Sequence, residues 1–242
     1  MSAMVSTAAD ERDGMARRQP PAKTMDDDRR TSDLRGRIYD LLRAEIRDGR
    51  HAEDIVFGEH AIARAFSVSR TPAREALALL ARRGMLVPRR RGFEFPRFTP
   101  REIDEIFEVR LLLEPWAMRG VARSAAPEDR RRLAEACAED LGEAFVPGSP
   151  EAVAALDRVQ RRLSALVANP VLADLAERHA DKVAVHVAAL LRDPAEAERG
   201  RGAAAAIVTA VARGDGPDTE RLTVARLDAL RDALRRRAEE GS

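Results

Sequence analysis

Residues 58–95 read GEHAIARAFSVSRTPAREALALLARRGMLVPRRRGFEF and decide the fold of the first half of the chain. Apolar residues recur at helical spacing on both sides of the break Ser67-Val68-Ser69, and Gly84 follows the second segment. Glycine is the residue that most often ends a helix in this way. A basic turn at residues 88–92 then separates two short apolar runs. The pattern predicts a helix, a tight turn, a second helix and a β-hairpin, an arrangement known as a winged helix-turn-helix.

The two helices around the break have predictable ends and inward faces. Ser69 is placed to cap the second helix, and Pro72 falls in its first turn, where a missing backbone N–H costs nothing. The first helix, residues 59–66, is expected to turn four apolar residues inward: Ala61, Ile62, Ala65 and Phe66. The hairpin strands are expected at residues 85–87 and 93–95, with the two phenylalanine rings on one face.

A further helix is expected upstream, between a cap at Ser32 or Asp33 and a stop at Gly49. Five apolar residues at three- and four-residue spacing mark its buried face: Leu34, Ile38, Leu41, Leu42 and Ile46. Residues 1–30 have no period and few large apolar side chains, which predicts a disordered extension. The winged helix-turn-helix domain is therefore expected to span residues 31–97.

The second half of the chain carries helical patterns and no strand pattern. Thr99 and Pro100 open a helix whose apolar residues are expected to be buried on more than one side: Ile103, Ile106, Phe107, Leu111, Leu113 and Trp116. Five more helices are expected at residues 127–143, 150–168, 171–192, 195–213 and 217–238. The predicted fold is mainly α: an N-terminal winged helix-turn-helix of three helices plus a small β-hairpin, followed over residues 98–240 by an all-α antiparallel helical bundle.

Charge is distributed unevenly along the chain. Residues 34–97 carry fourteen Arg and eight acidic residues, a formal excess of six positive charges, whereas residues 98–242 carry an excess of four negative charges. The first part therefore suits a polyanionic partner and the second does not.

Other features exclude whole classes of protein. Cys137 is the only cysteine, so an internal disulfide framework and a cysteine-based zinc site are excluded. The longest weakly polar run, residues 203–212, is about half the length of a membrane span, and the N-terminus has no apolar segment typical of a signal peptide. Neither a nucleophile with its base nor an open metal site is visible at recognisable spacing. We expect a cytoplasmic protein that is not an enzyme and does not contact a membrane.

The candidate DNA-binding residues lie at the start of the second helix of the motif and in the hairpin turn. Four of them are on the first turn of that helix, the end that enters the major groove: Ser69, Arg70, Thr71 and Arg74. Arg64, at the end of the preceding helix, is placed to contact the phosphate backbone. In the hairpin turn Gly92 permits close approach, and three cations suit phosphates or the minor groove: Arg89, Arg90 and Arg91. Solvated surface arginines are the alternative, but the turn pattern and the charge excess favour double-stranded DNA.

These residues resemble a known family. Residues 69–77, SRTPAREAL, together with Gly84-Met85-Leu86-Val87 and Arg90-Arg91-Gly92, are similar to the GntR family of bacterial transcription regulators. Residues 106–115, IFEVRLLLEP, resemble the start of the FCD ligand-sensing domain of its FadR-like branch. The resemblance covers residues 34–238. It implies a homodimer that binds a near-palindromic operator, represses transcription and responds to a small effector. The positions at which the family contacts DNA fall on Arg70, Thr71, Arg74 and Gly92.

The resemblance also defines a set of metal-ligand positions that this chain does not keep. Many FCD domains hold a divalent metal with an Asp, a His four residues later and two His from later helices. Asp157 matches the first position, but Arg161, Ala204 and Arg226 stand at the other three. The resemblance therefore implies that no metal cofactor binds, because two of the replacements are cations.

Two hypotheses follow for the sensor. In the first, Asp157 and Arg161 form an ion pair one helical turn apart, with or without Arg226, in a domain that no longer responds to a ligand. In the second, Arg161 and Arg226 join Arg110 to bind an anionic effector directly through their guanidinium groups. The first hypothesis leaves a DNA-binding regulator, or a structural DNA-binding protein, with a ligand-independent C-terminal domain.

Two histidines complete the candidate ligand-binding residues. His179 and His186 lie seven residues apart in an apolar stripe, so both are expected to point into the bundle. Buried histidines are more often hydrogen-bonded structural residues than ligands. Together with Asp157 they could instead rebuild a metal site with a new geometry.

Overall fold

The computed structural model describes residues 25–240, and within the first helix it describes side chains from Asp33 onward. These residues form ten helices and three short strands. The helices are α1 (Met25–Arg47), α2 (Glu59–Ala65), α3 (Arg70–Arg82), α4 (Pro100–Ser124), α5 (Pro127–Leu141), α6 (Pro150–Ala165), α7 (Pro170–Lys182), α8 (Ala184–Leu190), α9 (Pro194–Arg213) and α10 (Gly216–Glu240). The strands are β1 (Val56–Phe57), β2 (Val87–Arg89) and β3 (Gly92–Glu94). The mainly α fold class is confirmed.

The N-terminal domain packs α1, α2 and α3 around one apolar core. Apolar side chains of α1 and α3 meet there, and they are covered by the segment that leads into the sheet. The largest fully buried members are Ile38, Leu42, Ile46, Leu77, Leu80, Met85 and Leu86. Helix α1 begins at Met25, ahead of the expected cap at Ser32 or Asp33, so residues 25–30 are helical and the expectation of disorder was wrong there. Residues 1–24 of the expected extension lie outside the described residues.

Helix α2 buries a narrower face than expected. Ile62 and Ala63 are buried, whereas Ala61 and Ala65 are exposed, so the expected inward set was wrong at both alanines. The helix has only seven residues and contacts α3 along one edge. Leaving an alanine exposed costs the fold little hydrophobic stabilisation, because its side chain has little apolar surface.

The wing is a three-stranded antiparallel sheet in the order β1-β3-β2. The hairpin strands were expected at residues 85–87 and 93–95, but the first begins two residues later and the second one residue earlier. The turn between them is therefore only two residues long, Arg90-Arg91. Strand β1, which the sequence pattern did not separate from its loop, pairs with β3 through Phe57 and Phe93. Phe57 and Phe95 meet edge to face with ring centroids 5.2 Å apart, which anchors the wing on the core.

The helical domain comprises α4 to α10, with no strand among its described residues. Helix α10 packs along α4, and a capping box between Thr99 and Glu102 fixes the start of α4. The expected helix over residues 171–192 divides into α7 and α8, because Val183 leaves helical geometry at φ −103° and ψ 4°. Trp116 was expected to be buried but is 61% exposed. Leu112, which was not in the expected buried set, is 72% exposed. No helix in the described part of the chain is long and apolar enough to span a membrane.

Candidate functional site

The first turn of α3 presents its polar side chains to solvent. Ser69 takes the N-cap position with extended backbone (φ −70°, ψ 165°), but its hydroxyl makes no capping hydrogen bond, so the expected side-chain cap was wrong. The Arg70 side chain is 61% exposed and lies 3.4 Å from Glu59. Thr71 and Arg74 are exposed as well. Because exposed pairs of this kind contribute little stability, Arg70 is held only weakly and can turn to a phosphate or a base.

The end of α2 and the wing carry the remaining candidate cations. Arg64 is exposed at the end of α2, and Arg90 and Arg91 are exposed at the tip of the wing. Arg89 differs from them, because its Nε donates to Glu94 Oε1 at 2.6 Å across the hairpin. Two of the three wing arginines therefore point into solvent, and the third braces the wing.

Glycine is required at position 92 by the structure of the wing, whereas the sequence suggested a close approach to DNA. Its φ is +128°, in the region that favours glycine, and a Cβ there would lie 2.6 Å from the carbonyl oxygen of Phe57. The close approach is to strand β1 of the same chain. The glycine allows the wing to form and so places Arg90 and Arg91 at its tip.

A cavity of about 180 Å³ lies inside the helical domain. Most of its wall is aliphatic and comes from α6, α8, α9 and α10, including Val153, Leu156, Val187, Leu190, Ile207 and Leu230. Arg110 of α4, Arg226 of α10 and Arg47 of α1 also line it. Arg47 belongs to the N-terminal domain, so the two domains share this wall.

Arg110 and Arg226 share one buried carboxylate. Arg110 Nε donates to Glu114 Oε1 at 2.6 Å, and Arg226 Nη2 donates to Glu114 Oε2 at 3.1 Å. The Arg110 guanidinium also lies over the Phe107 ring, 4.7 Å from its centroid. Burial raises the pKa of Glu114, but the Arg110 and Arg226 guanidiniums outweigh it and hold that pKa below its ordinary value. Burial lowers the pKa of Arg226, and Glu114 opposes that effect.

Each of these arginines keeps a buried nitrogen without a partner. Arg110 Nη1 and Arg226 Nε have no hydrogen-bond partner among the described residues. The Arg110 side chain is only 4% exposed. A buried donor left unpaired is costly, and more so when it is charged.

Asp157 stands at the centre of a separate ion-pair chain. Arg161 Nε lies 2.8 Å from Asp157 Oδ2, the ion pair that the sequence predicted, but Arg226 takes no part in it. Arg47 Nε donates to Asp157 Oδ1 at 2.6 Å, and Arg47 Nη1 donates to Asp181 Oδ1 at 2.9 Å. Arg161 does not line the cavity, because its half-exposed side chain turns to Asp157 and toward Asp48. The expected trio of cavity arginines therefore holds for Arg110 and Arg226 only.

Both histidines were expected to point into the bundle, but neither of them lines the cavity. His179 Nδ1 lies 2.9 Å from the carbonyl oxygen of Leu175, one turn earlier on the same helix. His186 Nδ1 lies 2.9 Å from Glu53 Oε1, and its Nε2 lies 2.8 Å from the carbonyl oxygen of Pro96. Because the helix is interrupted at Val183, the seven-residue spacing no longer places both rings on one helical face. His186 instead joins the helical domain to the N-terminal domain.

The residues present do not fit a divalent metal. Both oxygens of Asp157 already face guanidinium groups, Ala204 supplies no donor atom, and Arg226 adds positive charge to the cavity wall. Among the side chains that the structure describes, residues 33–240, no group of three or more His, Cys, Asp or Glu could hold a metal. The rebuilt site from Asp157, His179 and His186 is not formed, since the two histidines bond elsewhere.

Glu114 and Arg47 were not among the residues selected from the sequence. Glu114 lies one turn after Arg110, and that spacing on a mostly apolar helix was a usable signal. Arg47 offered none, because its partner Asp157 is 110 residues away in the chain.

Two family models match separate parts of the chain. The sequence model of the FCD domain matches residues 105–229, more than half of the chain, and that of the bacterial regulatory proteins of the gntR family matches residues 34–93. The uncharacterized HTH-type transcriptional regulator YdhC of Bacillus subtilis is 34% identical over 93 residues, which cover 38% of this chain and 42% of that protein. The gluconate operon transcriptional repressor of Bacillus licheniformis is 36% identical over 92 residues, 38% of each chain. The chain thus spans about two fifths of the length of these relatives.

Solved structures share the fold. The E. coli protein McbR/YncC superposes with a TM-score of 0.73 at 21% identity, over 84% of this chain and 98% of that one. A GntR regulator from Rhodococcus sp. RHA1 gives a TM-score of 0.63 at 19% identity, over 85% and 97%. Together with the exposed first turn of α3, the basic wing and the two matching domains, these comparisons show that the chain belongs to the GntR family of bacterial transcription regulators and carries an FCD domain.

Proposed function

We propose that this chain is a cytoplasmic repressor, not an enzyme, which binds a near-palindromic operator as a homodimer and is modulated by a small anionic metabolite. The observation that carries the proposal is the exposed row of polar side chains on the first turn of α3, flanked by Arg64 and by the wing tip. Arginines at that end of a recognition helix can bind guanine edges and phosphates together. The repressor role is supported by the name of the gluconate operon repressors among the relatives.

The homodimer is supported by an exposed apolar patch on α4. Leu112 and Trp116 are four residues apart, so they lie on one face of the helix, and both are more than half exposed. A second copy of the chain would remove both side chains from water. Two winged helices would then face two half-sites of a near-palindromic operator.

Modulation by an anion is supported by the cavity and by the route from it to α3. Arg110 and Arg226 line the cavity wall and share a single carboxylate, and Arg47 brings α1 to the same wall. Helix α1 packs against α3 through the core of the N-terminal domain. An effector that shifts Arg47 would therefore act on the element that supports the recognition helix.

In vitro selection from random DNA, followed by affinity measurements over a range of salt concentrations, tests the DNA-binding proposal. We expect a selected site with two related half-sites and a steep fall in affinity as salt rises, because Lys and Arg contacts to phosphates release counterions. Selection that enriches no sequence, or an affinity that is flat with salt, would contradict the proposal.

A second candidate function is a regulator whose helical domain responds to no ligand. It is favoured because the arginines already pair with carboxylates of the same chain. Asp157 pairs with Arg47 and Arg161, and Glu114 pairs with both cavity arginines. Thermal unfolding in the presence of small organic acids separates the two candidates, because a sensor gains stability from its ligand by mass action. A transition temperature unchanged by every acid favours the ligand-independent regulator.

A further inference from the structure

The charge balance of the cavity leaves room for one negative charge. Arg110 and Arg226 face a single carboxylate, Glu114, so this trio carries an excess of one positive charge. The other charged residues on the wall are already paired: Arg47 with Asp157 and Asp181, and Arg199 with Glu196 at 2.5 Å. A second anionic group on a ligand would meet aliphatic side chains and lose its hydration without compensation.

The two guanidinium groups on the cavity wall favour one kind of ligand group. Arg110 and Arg226 both line the cavity, and both donate to Glu114. Glu114 therefore fixes the orientation of both guanidiniums before any ligand arrives. A carboxylate pairs well with guanidinium groups, because its two oxygens accept from their N–H donors.

The cavity volume fixes the size of the rest of the ligand. An apolar cavity of about 150 Å³ takes up a benzene ring. The cavity here is about 180 Å³ with a mainly aliphatic wall, so it suits a ring or short chain of similar size that bears one carboxylate. Effectors as large as CoA esters need a far larger site, because pockets for drug-sized ligands span roughly 300–1,000 Å³.

We propose that the effector is a compact monocarboxylate with an apolar body, bound directly by Arg110 and Arg226 without a metal ion. The inference rests on the proposed function, since it names the class of the effector of that same site. The apolar body lies among the aliphatic side chains of α6, α8, α9 and α10.

Isothermal titration of the full chain, dialysed against EDTA, tests the proposal with sodium benzoate and sodium hexanoate as probes. We expect saturable binding of at least one of them, with benzamide, the neutral isostere of benzoate, and phthalate, its dianionic analogue, at least tenfold weaker. Binding of benzamide as tight as that of benzoate, failure of both monocarboxylates to bind, or binding that needs added Zn²⁺ or Ni²⁺ would overturn the proposal.

Three variants locate the binding in the cavity. Arg226→Met and Ala204→Leu are expected to weaken binding at least tenfold, the first by removing a donor and the second by filling the cavity with its charges intact. Arg236→Met, an exposed position on the same helix, is the control and should bind as wild type. Circular dichroism checks that each variant folds. If Arg226→Met does not fold, Ala204→Leu still tests whether the ligand binds in the cavity. Wild-type affinity in a folded Ala204→Leu variant would overturn the assignment.

Operator binding by the same preparations separates this inference from the proposed function. If the protein binds its operator but neither monocarboxylate, the proposed effector class is contradicted and the proposed DNA-binding function is supported. If the protein binds benzoate in the cavity but no DNA, the proposed effector class is supported and the proposed DNA-binding function is contradicted.

Discussion

Arg47 is a single side chain of the N-terminal domain that is buried among acidic residues of the helical domain. Its guanidinium bridges Asp157 and Asp181, and its side chain is 8% exposed. Burial opposes the charged form of Arg47, but the two carboxylates outweigh it and raise its pKa above the ordinary value. Arg47 therefore stays charged while it holds α1 against the cavity wall.

Replacement of Arg47 is expected to destabilise the fold. Arg47→Met leaves Asp157 with Arg161 alone and Asp181 with Arg43 and the more distant Arg83, and breaking a buried ion pair costs about 3–5 kcal/mol. Arg43 and Arg161 still hold Asp181 and Asp157, so we expect about 3 kcal/mol. Urea unfolding measures the change, with the exposed Arg50→Met as control. Equal stability of the two variants would show that the bridge contributes nothing.

Gly92 gives a second prediction at this scale. Gly92→Ala places a Cβ against the carbonyl oxygen of Phe57 at a φ of +128°, so we expect a loss of about 1–3 kcal/mol. Gly36→Ala is the matched control, because Gly36 lies within α1 with nothing near its would-be Cβ. That change should stabilise by about 0.5–1 kcal/mol. If the unfolding temperatures of both variants are higher, or both lower, than that of wild type, the account of the wing is contradicted.

Helices α4 and α10 are joined through Glu114, and this link makes stability depend on pH. Its pKa is lower in the folded protein than the ordinary value of 4.5, so the unfolded chain binds the proton more readily. The stabilisation is complete above about pH 4.5 and is lost as the pH falls through the folded-state pKa. Glu114→Gln should cost about 3–5 kcal/mol at pH 7, because two guanidiniums lose their carboxylate.

The same variant should have a shallower loss of stability below pH 4.5 than wild type, because the group that titrates is gone. Glu143→Gln, at an exposed position, is the control and should keep the wild-type profile. Denaturant unfolding at a series of pH values measures both curves. A Glu114→Gln profile parallel to that of wild type throughout would contradict the pKa assignment.

The elements that the sequence predicted well are those specified by neighbouring residues. Helix α3 begins after Ser69 and ends before Gly84, and the Asp157–Arg161 pair forms within one helical turn. Contacts between distant segments could not be predicted this way. Arg47 depends on a partner 110 residues away, and His186 on partners 133 and 90 residues away. The missed strand β1 is also fixed by a distant partner, β3.

For the whole molecule, the α4 patch predicts the oligomeric state. Leu112→Glu with Trp116→Glu places charges where the second copy would pack, so light scattering should report a monomer whose operator affinity is reduced. Val171→Glu is the matched control, because Val171 is 68% exposed but lies on α7. It should leave the dimer intact. A double variant that stays dimeric would place the dimer interface elsewhere.

The most direct test of the central claim is the operator affinity of Arg74→Ala, set against Arg82→Ala. Both arginines are exposed on α3, Arg74 near its first turn and Arg82 at its last residue. Fluorescence anisotropy would compare the selected operator with scrambled DNA at several salt concentrations. We predict that Arg74→Ala costs about 1–3 kcal/mol on the operator and reduces its preference over scrambled DNA, with Arg82→Ala close to wild type. Wild-type affinity and preference in Arg74→Ala would contradict the assignment of this turn of α3 to DNA recognition.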